Sequence, residues 1–231
     1  MNYIVDHIPK KTPRDRRPGL SMVAETITIH NTGNPSSNAR GERAWLTNPT
    51  NSRQASFHIA VDENEAVECL PLIENAWHAG DGVNGPGNRR SIGIEICESG
   101  DYAKTLRNAA QLVAKMLRER GWGVDRLRRH YDWSGKVCPR LMYDGGKWSG
   151  WESFKVSVQA ELYNEEDQPM TEAERQVLNN LTKRVKSLEE RIEAPAWFVK
   201  EFGSGDLCGK INDPKLTAEG WRVLAIGLRV K

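Results

Sequence analysis

Residues 91–97 have the sequence SIGIEIC, and this stretch decides the expected fold of the chain. Isoleucines at 92, 94 and 96 alternate with Gly93, Glu95 and Cys97, which is the period of a β-strand with one apolar face. Asp101 is a suitable N-cap, and a helical pattern of apolar residues follows it as far as Gly121. A strand followed by a crossover helix predicts an α/β layer in which Glu95 lies on the non-core face.

Two further extended segments precede this unit. Residues 26–30, TITIH, alternate in the same way and predict a half-buried strand with His30 at its end, on the non-core face. Residues 56–61, SFHIAV, point Phe57, Ile59 and Val61 inward and predict a hairpin with residues 66–70. The expected fold class is therefore α/β, with a central mixed β-sheet flanked by helices.

His30, His130 and Cys138 are the candidate metal ligands. Two imidazoles and one thiolate hold Zn²⁺ at three corners of a tetrahedron and leave the fourth open for water, as in catalytic zinc sites. A structural zinc site takes four protein ligands, usually in close pairs such as C-x-x-C, and the chain has no such pair. The pattern predicts an open zinc site at the strand ends; a lone histidine at a strand end is otherwise a satisfied polar residue.

Composition excludes several other classes. The chain has 231 residues and a net charge of +2, so no strong field points to nucleic acid. It lacks the run of about 18 apolar residues that membrane insertion requires. Residues 1–17 carry charges throughout and lack the apolar stretch of a secretory signal, so we expect a protein made in the cytoplasm.

The chain divides by composition into a large and a small part. Residues 1–163 contain all the elements above, and residues 164–170, NEEDQPM, resemble a linker. Apolar residues then recur at steps of three and four over residues 171–193, which predicts an amphipathic helix through which the chain could self-associate. Residues 195–231 form a small, aromatic, helical segment that needs a partner surface to be stable.

Four stretches of the large part carry a resemblance to a known family: ITIHNTGNP, SFHIAV, AWHAGDGVNGPGNRRSIGIEIC and RHYDWSGKVCPRLM. They occur in the order, and over the approximate range 20–155, of the type-2 N-acetylmuramoyl-L-alanine amidases. That family includes phage and prophage endolysins and is related to peptidoglycan recognition proteins. The motif HxxWSGKxCP is its most specific part.

The resemblance implies a zinc amidase that cuts the bond between N-acetylmuramic acid and L-alanine in peptidoglycan. It makes His30, His130 and Cys138 the zinc ligands, and it gives Glu95 the role of general base. The alternative for Glu95 is a surface carboxylate on an edge strand. Lys136 corresponds to a lysine that steadies the oxyanion in some relatives, and its alternative is a plain exposed lysine.

The resemblance also points to a substrate groove. Residues 80–90, GDGVNGPGNRR, are expected to form a glycine-rich loop that lines the groove together with Trp77 and His78; the alternative is an ordinary surface turn. Asn88 in this loop is a candidate substrate-binding residue. His58 is expected either to shape the pocket or to be a packed histidine.

The sequence leaves three functions open. The first is an endolysin released to act on the cell wall, with peptidoglycan as its partner. The second is a non-catalytic peptidoglycan-binding module, although such relatives typically lose the cysteine ligand that Cys138 provides. The third is an intracellular amidase that recycles muropeptides. Residues 195–231 are similar to one degenerate S-layer homology repeat, which favours binding to the wall.

Overall fold

The computed structural model describes residues 1–163 and 172–230. The predicted linker, residues 164–170, lies outside the described residues. The chain forms two compact units, Met1–Glu165 and Glu166–Lys231. None of the helices in the described part of the chain combines the length and the hydropathy needed to cross a bilayer.

The first unit is built on one six-stranded sheet with the order β1-β4-β3-β5-β2-β6. Its strands are β1 (Asn2–Val5), β2 (Thr26–Asn31), β3 (Ile59–Val61), β4 (Glu65–Glu68), β5 (Ser91–Ile96) and β6 (Leu127–Arg129). The hairpin β3–β4 is antiparallel, and every other neighbouring pair is parallel. The sheet is therefore mixed, which confirms the predicted α/β class.

Five α-helices belong to the described part of this unit: α1 (Ala39–Thr47), α2 (Pro86–Arg90), α3 (Tyr102–Glu119), α4 (Tyr131–Ser134) and α5 (Ser149–Leu162). The α3 helix begins where predicted, because the Asp101 side chain accepts a hydrogen bond from the Lys104 amide at 3.0 Å. Its apolar face packs on the isoleucines of β5 and on the aromatic face of α5. The prediction of a continuous loop at 80–90 was wrong for its last residues, which form α2.

The sheet separates two hydrophobic cores. One contains the isoleucines of β2 and β5 with α3 and α5, and the other contains Leu46, Phe57 and Leu70 with the face towards α1. Every residue of β2 is buried. The prediction of a half-buried strand was thus wrong, because a central parallel strand is covered on both faces. The prediction that Phe57 points the same way as Ile59 and Val61 was wrong. Phe57 lies in the second core and the other two lie in the first, because the regular strand starts only at Ile59.

The N-terminal segment contributes two features that the sequence did not reveal. Strand β1 pairs in parallel with β4 at the edge of the sheet. Arg16 is fully buried, and its guanidinium donates hydrogen bonds to the backbone carbonyls of Leu46 and Arg53 at 2.9 and 2.8 Å, and to that of Asn51. These bonds fix the chain after α1, which forms one wall of the cleft described below.

The second unit contains α6 (Glu172–Glu189), α7 (Ala196–Phe202) and α8 (Ala218–Arg229). A small core of Phe198, Trp221 and Ala225 joins α7 to α8. The helix predicted at 171–193 ends earlier, at Glu189, and Ile192 instead pairs with Leu216 through two backbone hydrogen bonds. No residue of α6 is buried.

Candidate active site

Parallel pairing places the two central site residues side by side. His30 on β2 and Glu95 on β5 are direct partners in the register, so both side chains leave the same face of the sheet near the carboxyl ends of the strands. His130 directly follows β6, which is the other neighbour of β2. Cys138 is brought to the same place after the short helix α4 and a turn. The sheet topology thus places His30 beside His130 and Cys138, which follow it by 100 and 108 positions in the sequence.

His30, His130 and Cys138 form a compact buried cluster. The Nδ1 atoms of the two histidines are 3.1 Å apart, and Cys138 Sγ lies 3.8 Å from His30 Nδ1. The three ligand atoms all lie within 4.8 Å of one another. In a tetrahedral zinc site, with bonds of about 2.0–2.3 Å, two ligand atoms are roughly 3.3–3.6 Å apart. The donor set and its spacing therefore fit a zinc ion with one open position.

Burial sets the protonation of the two imidazoles. It is the largest cause lowering the pKa of His30 well below its ordinary value, and it lowers the pKa of His130 to about 4. Both rings are therefore neutral near pH 7, as a metal ligand must be. Burial also raises the pKa of the Cys138 thiol to about 12, so a cation that binds there displaces the thiol proton.

Glu95 faces the same space as the cluster. The side chain is partly accessible, but its Oε2 atom is buried and has no hydrogen-bond partner within the described residues. Burial raises the pKa of Glu95 to about 8, the charge of Glu42 adds to this increase, and Lys136 opposes it. Because β5 lies between β3 and β2, Glu95 is not a surface carboxylate on an edge strand. With a pKa of about 8, Glu95 is largely protonated at pH 7 when no cation is bound to the cluster. A cation bound there would lower this pKa and leave a carboxylate that can bind and deprotonate a water molecule.

A cleft of about 440 Å³ opens above these residues. Lys136 is exposed at its rim, and Trp77 lines it while donating its indole N–H to the Asp15 carbonyl at 2.8 Å. Among its other lining residues, Glu42, Trp45 and Arg53 lie outside every stretch that the sequence singled out. No motif marks them, because they come from α1 and its flanking loops and reach the cleft only through the packing of that helix.

Three other predicted substrate-binding residues have their polar atoms occupied by the protein itself. His58 is fully buried and outside the lining of the cleft; its Nδ1 accepts from the Gly93 amide and its Nε2 donates to the Glu74 carbonyl. The Asn88 side chain accepts from the amides of His78 and Ala79, both at 2.8 Å. His78 does line the cleft, but both of its ring nitrogens have partners.

The ring of His78 connects His30 to the sheet. His78 Nε2 lies 3.0 Å from the carbonyl oxygen of Ser91, and His78 Nδ1 lies 3.0 Å from His30 Nε2. Burial, the largest cause, lowers the pKa of His78 to about 3, so this ring is neutral. His78 therefore contacts the back of a metal ligand, on the side away from the cluster.

Together the fold and the site have the form of a metal-dependent hydrolase: an α/β sheet with three neutral or anionic ligands, an open position and an adjacent carboxylate. Comparison with known proteins agrees. Residues 20–141 match the family model for N-acetylmuramoyl-L-alanine amidase. The chain therefore belongs to the N-acetylmuramoyl-L-alanine amidase family.

Individual relatives match the first unit. The N-acetylmuramoyl-L-alanine amidase XlyB of Bacillus subtilis is 49% identical over 146 residues, which are 62% of this chain and 44% of XlyB. CwlA of the same organism is 47% identical over 145 residues, covering 61% of this chain and 51% of CwlA. The chain thus spans about half the length of these curated relatives.

Solved structures give the same match. The catalytic domain of XlyA superposes with a TM-score of 0.62 at 42% identity, covering 68% of this chain and 99% of that domain. The structure of PlyL superposes with a TM-score of 0.61 at 35% identity, covering 70% of this chain and 99% of that chain. The fold of the first unit is therefore that of an amidase catalytic domain.

Proposed function

We propose that this chain hydrolyses the amide bond between N-acetylmuramic acid and L-alanine in bacterial peptidoglycan, as a phage or prophage endolysin acting on the cell wall. The observation that carries the proposal is the unpartnered Oε2 of Glu95, which shares one cleft with the cluster of His30, His130 and Cys138. Family membership supplies the bond that is cut. Curated amidases such as XlyB and a solved Bacillus subtilis endolysin at 41% identity support the assignment.

The proposed cofactor is Zn²⁺, held by His30 Nδ1, His130 Nδ1 and Cys138 Sγ. When bound there, zinc supplies Lewis acidity that lowers the pKa of water and polarises a carbonyl. Glu95 accepts the proton of the attacking water and returns it to the alanine nitrogen as the amide bond breaks. The ammonium group of Lys136, at the rim of the same cleft, stabilises the negative charge that develops on the carbonyl oxygen.

The walls of the cleft suit a saccharide with an attached peptide. Trp45 and Trp77 offer apolar ring surfaces on which a sugar can pack. Arg53 lines the same cleft and offers a cation to the carboxylates of a stem peptide. We assign Trp77 to substrate binding, and we assign His58 and Asn88 to shaping the site from behind.

The experiment that tests the proposed activity is hydrolysis of purified sacculi with and without a metal chelator. We expect one zinc per chain and release of new L-alanine amino groups that stops on chelation and returns with zinc. Cys138→Ser should lose both the zinc and the hydrolysis. Cys208→Ser is the matched control, because that cysteine is exposed and belongs to the second unit. Full zinc content and a normal rate in Cys138→Ser would overturn the ligand assignment.

Two other functions would give different results in the same assay. A non-catalytic binding module would retain sacculi without releasing amino groups, and the presence of Cys138 disfavours this function. A muropeptide-recycling amidase would cleave soluble fragments but not intact sacculi. The small second unit favours action on the polymer, since a second attachment raises the local concentration of enzyme on the wall.

We further propose that residues 1–163 are a complete catalytic domain and that residues 195–231 bind the cell wall. The second unit has a small core of its own, and every residue of the cluster lies in the first unit. A 1–163 chain should therefore cleave a soluble muramyl-peptide as fast as the full chain but sediment less with whole walls. An insoluble 1–163 chain, or one that binds walls equally well, would contradict this division.

Self-association through α6 is the last part of the proposal. Leu178, Leu181, Val185 and Leu188 follow the 3-4-3 spacing of a coiled-coil seam, and each is at least half exposed. The seam has a β-branched residue at one a position and leucines at the d positions, a combination found in parallel dimers. The occupant we propose for this face is a second copy of α6.

Charge on the flanks of the seam agrees with a parallel arrangement. In that register Arg184 occupies a g position and Glu189 the following e position of the partner helix, which pairs opposite charges twice per dimer. Sedimentation equilibrium of the full chain should show a concentration-dependent dimer. A monomer at all concentrations would remove this part of the proposal and leave the catalytic part intact.

A further inference from the structure

We propose that His78 is a positioning residue that holds His30 in the tautomer whose Nδ1 is free to bind the metal, and that Gly93 exists to make room for it. The inference rests on the zinc site of the proposed function. It concerns a residue that the sequence assigned to substrate binding.

The hydrogen bonds that link His30, His78 and Ser91 allow only one assignment of donors and acceptors. The carbonyl oxygen of Ser91 can only accept, so the ring nitrogen 3.0 Å from it, His78 Nε2, carries the proton. A neutral imidazole has one N–H, so His78 Nδ1 is an acceptor. Its partner 3.0 Å away, His30 Nε2, must then donate. His30 Nδ1 is left without a proton, and this is the atom that faces His130 and Cys138.

The position of the His78 ring explains why the strand SIGIEIC has a glycine at residue 93. A Cβ at residue 93 would lie 2.7 Å from His78 Cγ and 2.9 Å from His78 Nδ1, closer than carbon atoms approach without displacement. The His78 ring therefore lies directly against the backbone of β5. Glycine within a strand often marks such a close approach. Any side chain at residue 93 would push the His78 ring away from its present position.

The backbone next to His78 also contacts His130, the second histidine ligand. The ring of His130 forms a hydrogen bond with the backbone of Ala79. The side chain of Asn88 holds the amides of both His78 and Ala79. The segment His78–Ala79, held by the side chain of Asn88, thus orients both imidazole ligands. Such outer partners typically change metal affinity by about 10- to 100-fold when they are removed.

The experiment measures zinc affinity by competition with a chelating dye, using the full chain. His78→Phe keeps the ring volume but removes the acceptor, and we expect zinc binding to weaken by about 10- to 100-fold. His78→Asn offers an amide oxygen near the position of Nδ1 and should recover most of the affinity. Gly93→Ala, which alters no polar group, should weaken binding by displacing the ring. The matched control is His7→Phe, which removes a histidine that bonds Glu68 at 2.7 Å near the β1 edge of the sheet, away from the cluster, and should bind zinc within about threefold of the parent chain.

A second measurement reports the tautomer directly. In the zinc-free chain, ¹⁵N-edited NMR of the histidine rings should show His30 with its proton on Nε2, and a mixture of tautomers in His78→Phe. Unchanged affinity in both His78→Phe and Gly93→Ala, or no difference in affinity between His78→Phe and His78→Asn, would overturn the inference. Should His78→Phe fail to fold, unchanged affinity in Gly93→Ala overturns it alone. A parent chain with the expected tautomer but no zinc binding would instead overturn the proposed cofactor.

Discussion

Helices α3 and α6 have the same length, 18 residues each, and both carry an apolar stripe, yet they differ completely in burial. Nine residues of α3 are buried, including Val113 and Leu117 at 0% exposure, whereas α6 buries none. The α3 stripe meets the isoleucines of the sheet and the face of α5. The α6 stripe has no such surface among the described residues of its own unit. An apolar stripe therefore predicts a helix, while the partner that covers the stripe decides its role.

The two units differ in the same way. In the first unit, both faces of the sheet are covered, and this burial gives His30, His130 and Glu95 their altered pKa values. In the second unit, a small core around Trp221 leaves most of each helix exposed. We expect changes in the first unit to alter chemistry and folding, and changes in α6 to alter association.

The largest effect is expected from Glu95→Gln, which removes the proton acceptor but keeps the shape of the side chain. Turnover should fall on the order of 10² to 10⁴-fold, while zinc content and dimer formation through α6 remain those of the parent chain. Turnover is measured on a soluble muramyl-peptide at matched zinc content. Glu25→Gln, at an exposed ion pair with Arg90, is the control and should have normal turnover. A Glu95→Gln chain within a few-fold of the parent would show that the base lies elsewhere.

The next largest effect is expected from a comparison of the same substitution, leucine to alanine, on α3 and on α6. Leu117→Ala leaves a cavity in the core and should lower the free energy of unfolding of the first unit by about 2–5 kcal/mol. Leu181→Ala, at a side chain with 50% exposure, should change the stability of the monomer by less than about 0.5 kcal/mol and weaken the dimer. Urea denaturation at low protein concentration measures the first quantity, and sedimentation measures the second. A large loss of monomer stability in Leu181→Ala would show that α6 is packed within its own chain.

The sequence revealed the part of this fold that depends on local periodicity and on motif. The strand 91–96, the capped helix after Asp101 and the alternation that ends at His30 each depend on neighbours in the chain, so their patterns are visible in the sequence. The grouping of His30, His130 and Cys138 was predicted from metal-ligand chemistry together with the resemblance, and the structure places their ligand atoms within 4.8 Å.

What the sequence did not reveal depends on contacts between distant segments. Strand β1 has four residues and pairs with a strand that begins more than 60 positions later, so no local pattern marks it. Arg16 carries the usual signal of a surface residue, and only the carbonyls after α1 make its burial favourable. His78 lies in a motif that suggests a groove, but its contacts to Ser91 and His30 arise from the topology of the sheet.

A smaller effect is expected from removing one ion pair in each unit, because the two pairs differ in burial. Glu74 accepts two hydrogen bonds from Arg17, and this contact is the largest cause lowering the Glu74 pKa below its ordinary value. A lowered pKa means that the pair stabilises the folded chain above about pH 4.5 and that this stability is lost as the pH falls below that value. Glu74→Gln should lower the stability at pH 7 on the order of 1 kcal/mol and reduce the loss of stability that accompanies acidification below about pH 4.5. Thermal melts of the first unit across this pH range provide the measurement.

The corresponding pair in the second unit gives the contrast. Glu201 and Arg229 also form two hydrogen bonds, and this contact is the main cause lowering the Glu201 pKa, but both side chains are well exposed. Salt screens exposed pairs more than buried ones. Adding 1 M salt should therefore remove the effect of Glu201→Gln but keep most of the effect of Glu74→Gln. Equal sensitivity of both variants to salt would show that burial does not distinguish the two units in this respect.

The smallest effect concerns the orientation of α6 in the proposed dimer. In a parallel dimer, Glu189 of each helix faces Arg184 of the other, and neither residue forms an ion pair within its own chain among the described residues. Exposed pairs of this kind contribute about 0.2–1 kcal/mol each. Glu189→Lys replaces two attractions by two repulsions, so the dimer should weaken by roughly 1 kcal/mol, which is about fivefold in Kd.

The double variant that exchanges the two charges, Arg184→Glu with Glu189→Lys, should recover the parent Kd because both pairs become attractive again. In an antiparallel dimer with the same seam, e positions face e positions, so Glu189 would face Arg175 of the partner helix; Glu189→Lys would weaken that dimer too, but the exchange with Arg184→Glu would restore nothing. Sedimentation equilibrium on the three chains therefore distinguishes the two orientations, and it does so without altering any apolar residue of the seam.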